Sequence, residues 1–188
     1  MAVIDAAGRY GLAEYFRNEI EKVSQPTASK ETGCYLSTLL ERYARSELYF
    51  SDDQDGIGLR PLALIYEEAY NSPSEHERQA LLRKLGDQAL FTGAMFPEFY
   101  ARKGIARDYF IGMGGGAYSY LASRVSSLQE AFEELAERFA QMLELVARVL
   151  QRYRKLDAQE LLALYDRWQL SRDPALGRQL VELGLVLK

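Results

Sequence analysis

Residues 85–121 read LGDQALFTGAMFPEFYARKGIARDYFIGMGGGAYSYL, and this stretch decides the fold. Large apolar and aromatic side chains alternate with Gly and Ala, and the 15 residues from Tyr109 to Ser123 carry no charge. A helix of that composition offers water no polar face, so it belongs in the interior of a helical domain. Any ligand site is expected in or beside it. The uncharged run is shorter than the roughly 20 residues needed to cross a bilayer, and it is heavy in glycine.

Outward from this block the pattern is helical throughout. Leu12, Phe16, Ile20 and Val23 recur at helical spacing until Ser24-Gln25-Pro26. Tyr35, Leu36, Leu39, Leu40 and Tyr43 mark a second amphipathic helix, and Pro61 opens a short third one through Tyr70. Ser74 with Glu77 makes a capping box for a helix that runs toward Phe96, where Pro97 ends or kinks it. Asp108 is placed to cap the next helix. Ser126 with Gln129, or Ser127 with Glu130, opens a long helix over 126–155.

In that long helix Leu128, Phe132, Leu135, Phe139, Met142, Val146, Val149 and Tyr153 step by fours and threes. Ala136, Ala140, Leu143, Ala147 and Leu150 form a second seam, which predicts partners on two sides, as in a bundle. Asp157 and Glu160 begin a C-terminal helix pair over 157–188, whose second member starts at Asp173 and Pro174. The expected fold is all-α: one domain over 1–188, a bundle of about seven to eight helices, with 85–122 as its buried central hairpin.

Gly112, Gly114, Gly115 and Gly116 each cost about 1 kcal/mol relative to Ala in a helix interior, and that cost needs an offset. In one reading Tyr109, Gly112, Met113, Gly116, Ala117 and Tyr120 form a stripe that lets a second helix approach closely, with Gly86, Ala89 and Gly93 as the matching groove. In the other, GMGGG is irregular or begins a helix. The N–H groups of Gly114 and Gly115 then cradle an anion, with charge from Arg102, Lys103 and Arg107. The run is neither G-x-G-x-x-G after a strand nor a P-loop, so the motif itself is weak.

Asp87 is the one carboxylate between Leu85 and Met95, and an isolated buried charge is expensive. Two roles stay open. It ties helices together through a tyrosine hydroxyl or an arginine such as Arg83, or it transfers a proton or orients a ligand at the mouth of a pocket. Such a pocket, between the Asp87 helix and the Gly112–Gly116 helix, takes its lining from Asp87, Tyr109, Tyr118 and Tyr120. Tyrosine suits that place because it joins an apolar body to a polar tip.

The block LGDQALFTGAMFPEFY, followed by DYFIGMGGGAYSYLA, resembles a family of uncharacterised bacterial all-helical proteins with an LGD-x-x-L segment and a later Tyr–Gly–Ala–Tyr segment. The resemblance covers residues 85–122. It implies an all-helical fold in a bacterial cytoplasm and carries over no catalytic residue. The GMGGG run is richer in glycine than that pattern requires.

Composition narrows the chemistry. A formal charge of -4 and a pI near 5.2 lack the footprint of a general nucleic-acid binder. Residues 157–188 hold five acids against four Lys/Arg, poor electrostatics for a helix-turn-helix. The single cysteine, Cys34, excludes an internal disulfide and suits a reducing compartment. With Asp5 and no apolar core, the N-terminal segment shows no signal peptide, so a cytoplasmic location away from membranes is expected.

His76 is the only histidine and lies in the polar SEHER, so zinc sites built from His and Cys are not on offer. Asp53-x-Asp55-Gly56 echoes a calcium loop, but Ser51 and Leu62 stand where its first and twelfth ligands belong. No metal or cofactor is expected. The leading expectation is a non-enzymatic interaction or regulatory module that pairs with itself as a homodimer. The alternative is a small-molecule-binding protein or enzyme with the pocket named above.

Overall fold

The computed structural model describes residues 11–23, 26–47, 59–174, 176, 177 and 180. Among them are eight helices and no strand: α1 (Gly11–Lys22), α2 (Lys30–Glu47), α3 (Leu62–Asn71), α4 (Glu75–Met95), α5 (Pro97–Arg102), α6 (Arg107–Ala122), α7 (Gln129–Glu137) and α8 (Phe139–Ser171). The fold is all-α, as the periodicity predicts. No described helix is long and apolar enough to cross a membrane. The Asp53–Gly56 loop lies outside the described residues.

Contacts divide the chain into two units, Ala13–Leu150 and a smaller one of Met1–Leu12 with Gln151–Lys188. In the smaller unit Tyr165 and Trp168 hold their rings 5.8 Å apart, and the Arg172 guanidinium sits 4.6 Å above the Trp168 ring. Every site considered below belongs to the larger unit.

Helix α4 is central to that unit and packs most extensively on α6. From Leu85 to Thr92 every one of its residues is buried, the arrangement expected of a helix with no polar face. At its start the Ser74 hydroxyl accepts from the Glu77 N–H. The Glu77 carboxylate accepts instead from the Ser72 hydroxyl at 2.9 Å, so only half of the predicted capping box forms. At its end Phe96 is the junction, and Pro97 becomes the first residue of α5, where its missing N–H is harmless.

Glycines and rings make the central contact. A Cβ on Gly86 would lie 2.9 Å from the Tyr118 ring, and one on Gly93 would lie 3.1 Å from both Phe110 and Leu143. A Cβ on Gly114 would overlap the Phe139 ring and meet Ala89 Cβ at 3.1 Å. These three glycines are sockets for aromatic side chains, which recover in dispersion contact what the helix loses in rigidity. The predicted stripe needs correction here, because no described residue lies within 4 Å of a Cβ on Gly112 or Gly116. Close approach runs through Gly114 on one side of α6, and the Gly112–Gly116 side is open.

Three predicted boundaries also move. The helix over 126–155 is broken at Arg138 (φ -116°, ψ 27°), and α8 then runs unbroken past Asp157 to Ser171. The seam conceals the break, since Phe132, Leu135, Phe139, Met142, Val146 and Val149 stay buried across it. The missing break at Asp157 has a plain cause: no Gly or Pro occurs in 139–171 to stop a helix. Neither serine box caps α7, whose N-cap is Leu128 in the left-handed region with no side-chain bond. Asp108 lies inside the first turn of α6 rather than at its cap, which is Ala106. There its charge still meets the positive end of the helix dipole.

Candidate functional site

Asp87 sits on α4 with 1% of its surface exposed. The Tyr35 hydroxyl donates to its Oδ1 at 2.5 Å, and the Tyr118 hydroxyl donates to the same oxygen at 2.8 Å. An Arg42 Nη donates to Oδ2 at 2.5 Å. Arg83 Nε in turn donates to the Tyr35 hydroxyl at 3.2 Å, and its guanidinium lies 5.1 Å over the Tyr35 ring. Tyr35 and Arg42 are seven residues apart on α2, two helical turns, so both come from one face. Asp87 supplies α4 and Tyr118 supplies α6. Three helices therefore meet at one carboxylate, and Phe132 of α7 packs against both tyrosine rings.

Burial, reinforced by the Asp87 charge, pushes the Tyr35 and Tyr118 phenols well above their ordinary value, and it raises Tyr43 in the same way. For Arg42 burial opposes the charge, but the attraction and hydrogen bond of Asp87 outweigh it, and the guanidinium is held more firmly protonated. The phenols thus stay protonated and keep donating to Asp87 Oδ1. Of the two roles left open for Asp87, this geometry matches the structural tie.

A pH dependence follows for the tyrosines. An unfolded phenol loses its proton near pH ~10, while the folded one keeps it, so above that pH the unfolded state binds fewer protons and stability falls. The contribution is fully present below about pH 10 and declines by up to about 1.4 kcal/mol per pH unit for each such tyrosine. Urea midpoints followed from pH 8 to 11.5, as rough bounds of the window, should fall more steeply in the parent than in Tyr35→Phe. Equal slopes would show that Tyr35 ionises alike in both states.

The second feature is a groove of about 830 Å³ between α3, the first half of α4 and α6. Tyr66, Ala69 and Tyr70 of α3 line one side, Arg78 and Leu82 of α4 another. From α6 come Gly112, Met113, Gly116, Ala117 and Tyr120. The helix pattern explains the walls: Leu62, Ile65 and Ala69 are the buried face of α3, which leaves Tyr66 and Tyr70 half and three-quarters exposed. The floor exists because Gly112 and Gly116 carry no side chain.

One end of the groove is polar but internally paired. The Tyr120 hydroxyl is 3.0 Å from each Glu75 carboxylate oxygen. Gln79 and Arg78 also donate to that carboxylate, at 3.1 and 3.2 Å, and Arg124 lies 3.9 Å from it. The Gln79 hydrogen bond, then that from Tyr120 and the positive charges of Arg124 and Arg78, holds Glu75 below the usual carboxylate range. Arg78 spends its other nitrogens on the end of α3, donating to the carbonyls of Ala69 at 3.2 Å and Ser72 at 2.8 Å.

The groove does lie between the Asp87 helix and the glycine helix. Of the four residues predicted to line a pocket there, Tyr120 does so; Asp87 and Tyr118 are sealed in the core, and Tyr109, part-exposed on α6, is not in the lining. Tyr66 and Tyr70 went unnoticed in the sequence, although the spacing of Leu62, Ile65 and Ala69 carried the signal. The residues proposed for an anion do not form the irregular cradle expected, because Gly114 and Gly115 are in mid-α6, where N–H groups serve the helix itself. Lys103 rests 4.5 Å over the Phe99 ring, and Arg107 donates to the Ala140 carbonyl at 2.7 Å and to Glu144 at 3.2 Å. Arg102 is exposed at the end of α5. Among the described residues no group of three or more His, Cys, Asp or Glu is placed to hold a metal.

Comparison of the chain with known protein families, with curated proteins and with solved structures finds no match, so the site is read from its own geometry.

Proposed function

We propose that the chain is a non-catalytic, cytoplasmic helical binding module whose recognition surface is the groove floored by Gly112 and Gly116. One observation carries this reading: among the described residues nothing fills the space where a Cβ would be on either glycine. Each weakens α6 by about 1 kcal/mol. The ring packing that compensates Gly86, Gly93 and Gly114 is absent at both. A cavity kept open at a cost in stability is the trade expected of a binding surface. The volume supports the same view, since ligand sites occupy roughly 300–1,000 Å³. The non-catalytic part is supported by Asp87, whose two oxygens are committed to three internal donors.

The test is a ligand-observed screen of a chemically diverse fragment set against the full chain, repeated on Gly116→Leu. Saturable binders should be found, and filling the floor should remove them while the melting temperature stays at or above that of the parent. No saturable binder, or binders indifferent to the substitution, would count against the groove. A second reading is self-association through the exposed α3 side chains Leu64, Tyr66 and Tyr70. Light scattering at high protein concentration decides it, and a monomer removes it.

A further inference from the structure

We infer that the ligand of this groove is a single uncharged, planar ring compound, an inference that rests on the binding reading above. Size selects a small molecule over a macromolecule. Ten residues line the groove, whereas a stable protein interface needs about 20–30 residues a side. Along α6 the lining runs from Gly112 to Tyr120, about 12 Å of helix axis at 1.5 Å per residue. Two helical turns match one ring system and fall short of a partner domain.

Charge selects an uncharged occupant. The nitrogens of Arg78 go to Ala69, Ser72 and Glu75, and Glu75 is met by Arg78, Gln79, Tyr120 and Arg124. A charged ligand would therefore have to compete with the existing Arg78–Glu75–Arg124 pairing for a counter-charge, while giving up part of its hydration on entering. The hydroxyls of Tyr66 and Tyr70, also in the lining, have no hydrogen-bond partner among the described residues. They can hydrogen-bond a carbonyl, amine or ring nitrogen without requiring a charge.

Shape selects a flat molecule. Gly112 and Gly116 make a floor without side chains, and Tyr66, Tyr70 and Tyr120 border it with aromatic rings. A planar ligand on such a floor touches backbone on one face and ring edges or faces at its sides, the arrangement in which aromatic groups interact best.

The experiment titrates the full chain with Nile red, an uncharged planar dye, and with anilinonaphthalene sulfonate, an anionic dye of comparable ring size. Nile red should bind saturably at one site and weaken at least about tenfold in Gly116→Leu and in Tyr70→Ala. The sulfonate should bind the same site at least about tenfold more weakly than Nile red. Gly116→Leu is expected to fold, since its Cβ meets none of the described residues and Leu favours a helix over Gly; its thermal melt checks this. Sulfonate binding that equals or exceeds that of Nile red, with the same loss in Gly116→Leu, overturns the uncharged class and leaves the groove as a binding surface. Dye binding that ignores Gly116→Leu, or no binding at all, overturns both. A dimer that excludes Nile red and dissociates in Gly116→Leu gives the groove to a second copy and overturns the small-molecule assignment.

Discussion

Replacing Asp87 with Ala should lower folding stability by about 3–5 kcal/mol, the range seen when one partner of a buried ionic network is removed. Two phenol hydroxyls, Tyr35 and Tyr118, would lose their acceptor in the core. Each orphaned donor costs about 1–3 kcal/mol. Arg42 contributes less, because its side chain is 55% exposed and can turn to water. Asn is expected to cost less than Ala, since its carbonyl can still accept from the phenols. Removing the donors as well separates the network from the space it fills. In Tyr35→Phe/Tyr118→Phe the further change Asp87→Leu should be much milder than Asp87→Ala in the parent, because an apolar replacement of a whole network is often nearly neutral. Urea unfolding with linear extrapolation measures all of these. An Asp87→Ala variant within about 1 kcal/mol of the parent would falsify the structural role given to this carboxylate.

That role was half-legible in the sequence. One acid in a run of apolar residues already demanded a partner, and tyrosine or arginine was the available choice. The predicted hairpin already put Tyr118 near Asp87; Tyr35 and Arg42 were beyond reach, because they come from a helix 52 and 45 residues away in the chain. Arg83, the local candidate, reaches Tyr35 rather than Asp87. The helices themselves were easier to read, since apolar periodicity survives whatever the bundle does. Boundaries suffered where a pattern continues through a local irregularity, as at Arg138, or where a cap-forming residue has nothing to stop the preceding helix, as at Asp157. Gly112 through Gly116 could not be sorted without coordinates. Adjacent glycines on one helix point in different directions, and only the neighbours decide which one is a socket and which one is a floor.

Gly114→Ala and Gly116→Ala should therefore move stability in opposite directions, although both make the same chemical change two residues apart. On intrinsic propensity alone each gains about 1 kcal/mol. At Gly116 no described residue stands within 4 Å of the new methyl, so the gain should be kept, and Gly112→Ala should behave alike. At Gly114 the methyl would enter the space of the Phe139 ring, which is itself buried, and would also meet Ala89 Cβ at 3.1 Å. Neither neighbour is a flexible tip that can swing aside. Overpacking of this kind costs about 1–3 kcal/mol and sometimes more. With a full ring in the way, the cost belongs at the top of that range, and the net loss should be about 2 kcal/mol after the helix gain is counted. Paired denaturant curves on the two variants read the signs directly. If Gly116→Ala also destabilises, something occupies the floor of the groove in the folded chain, and the cost of its glycines would then be one of packing rather than of recognition.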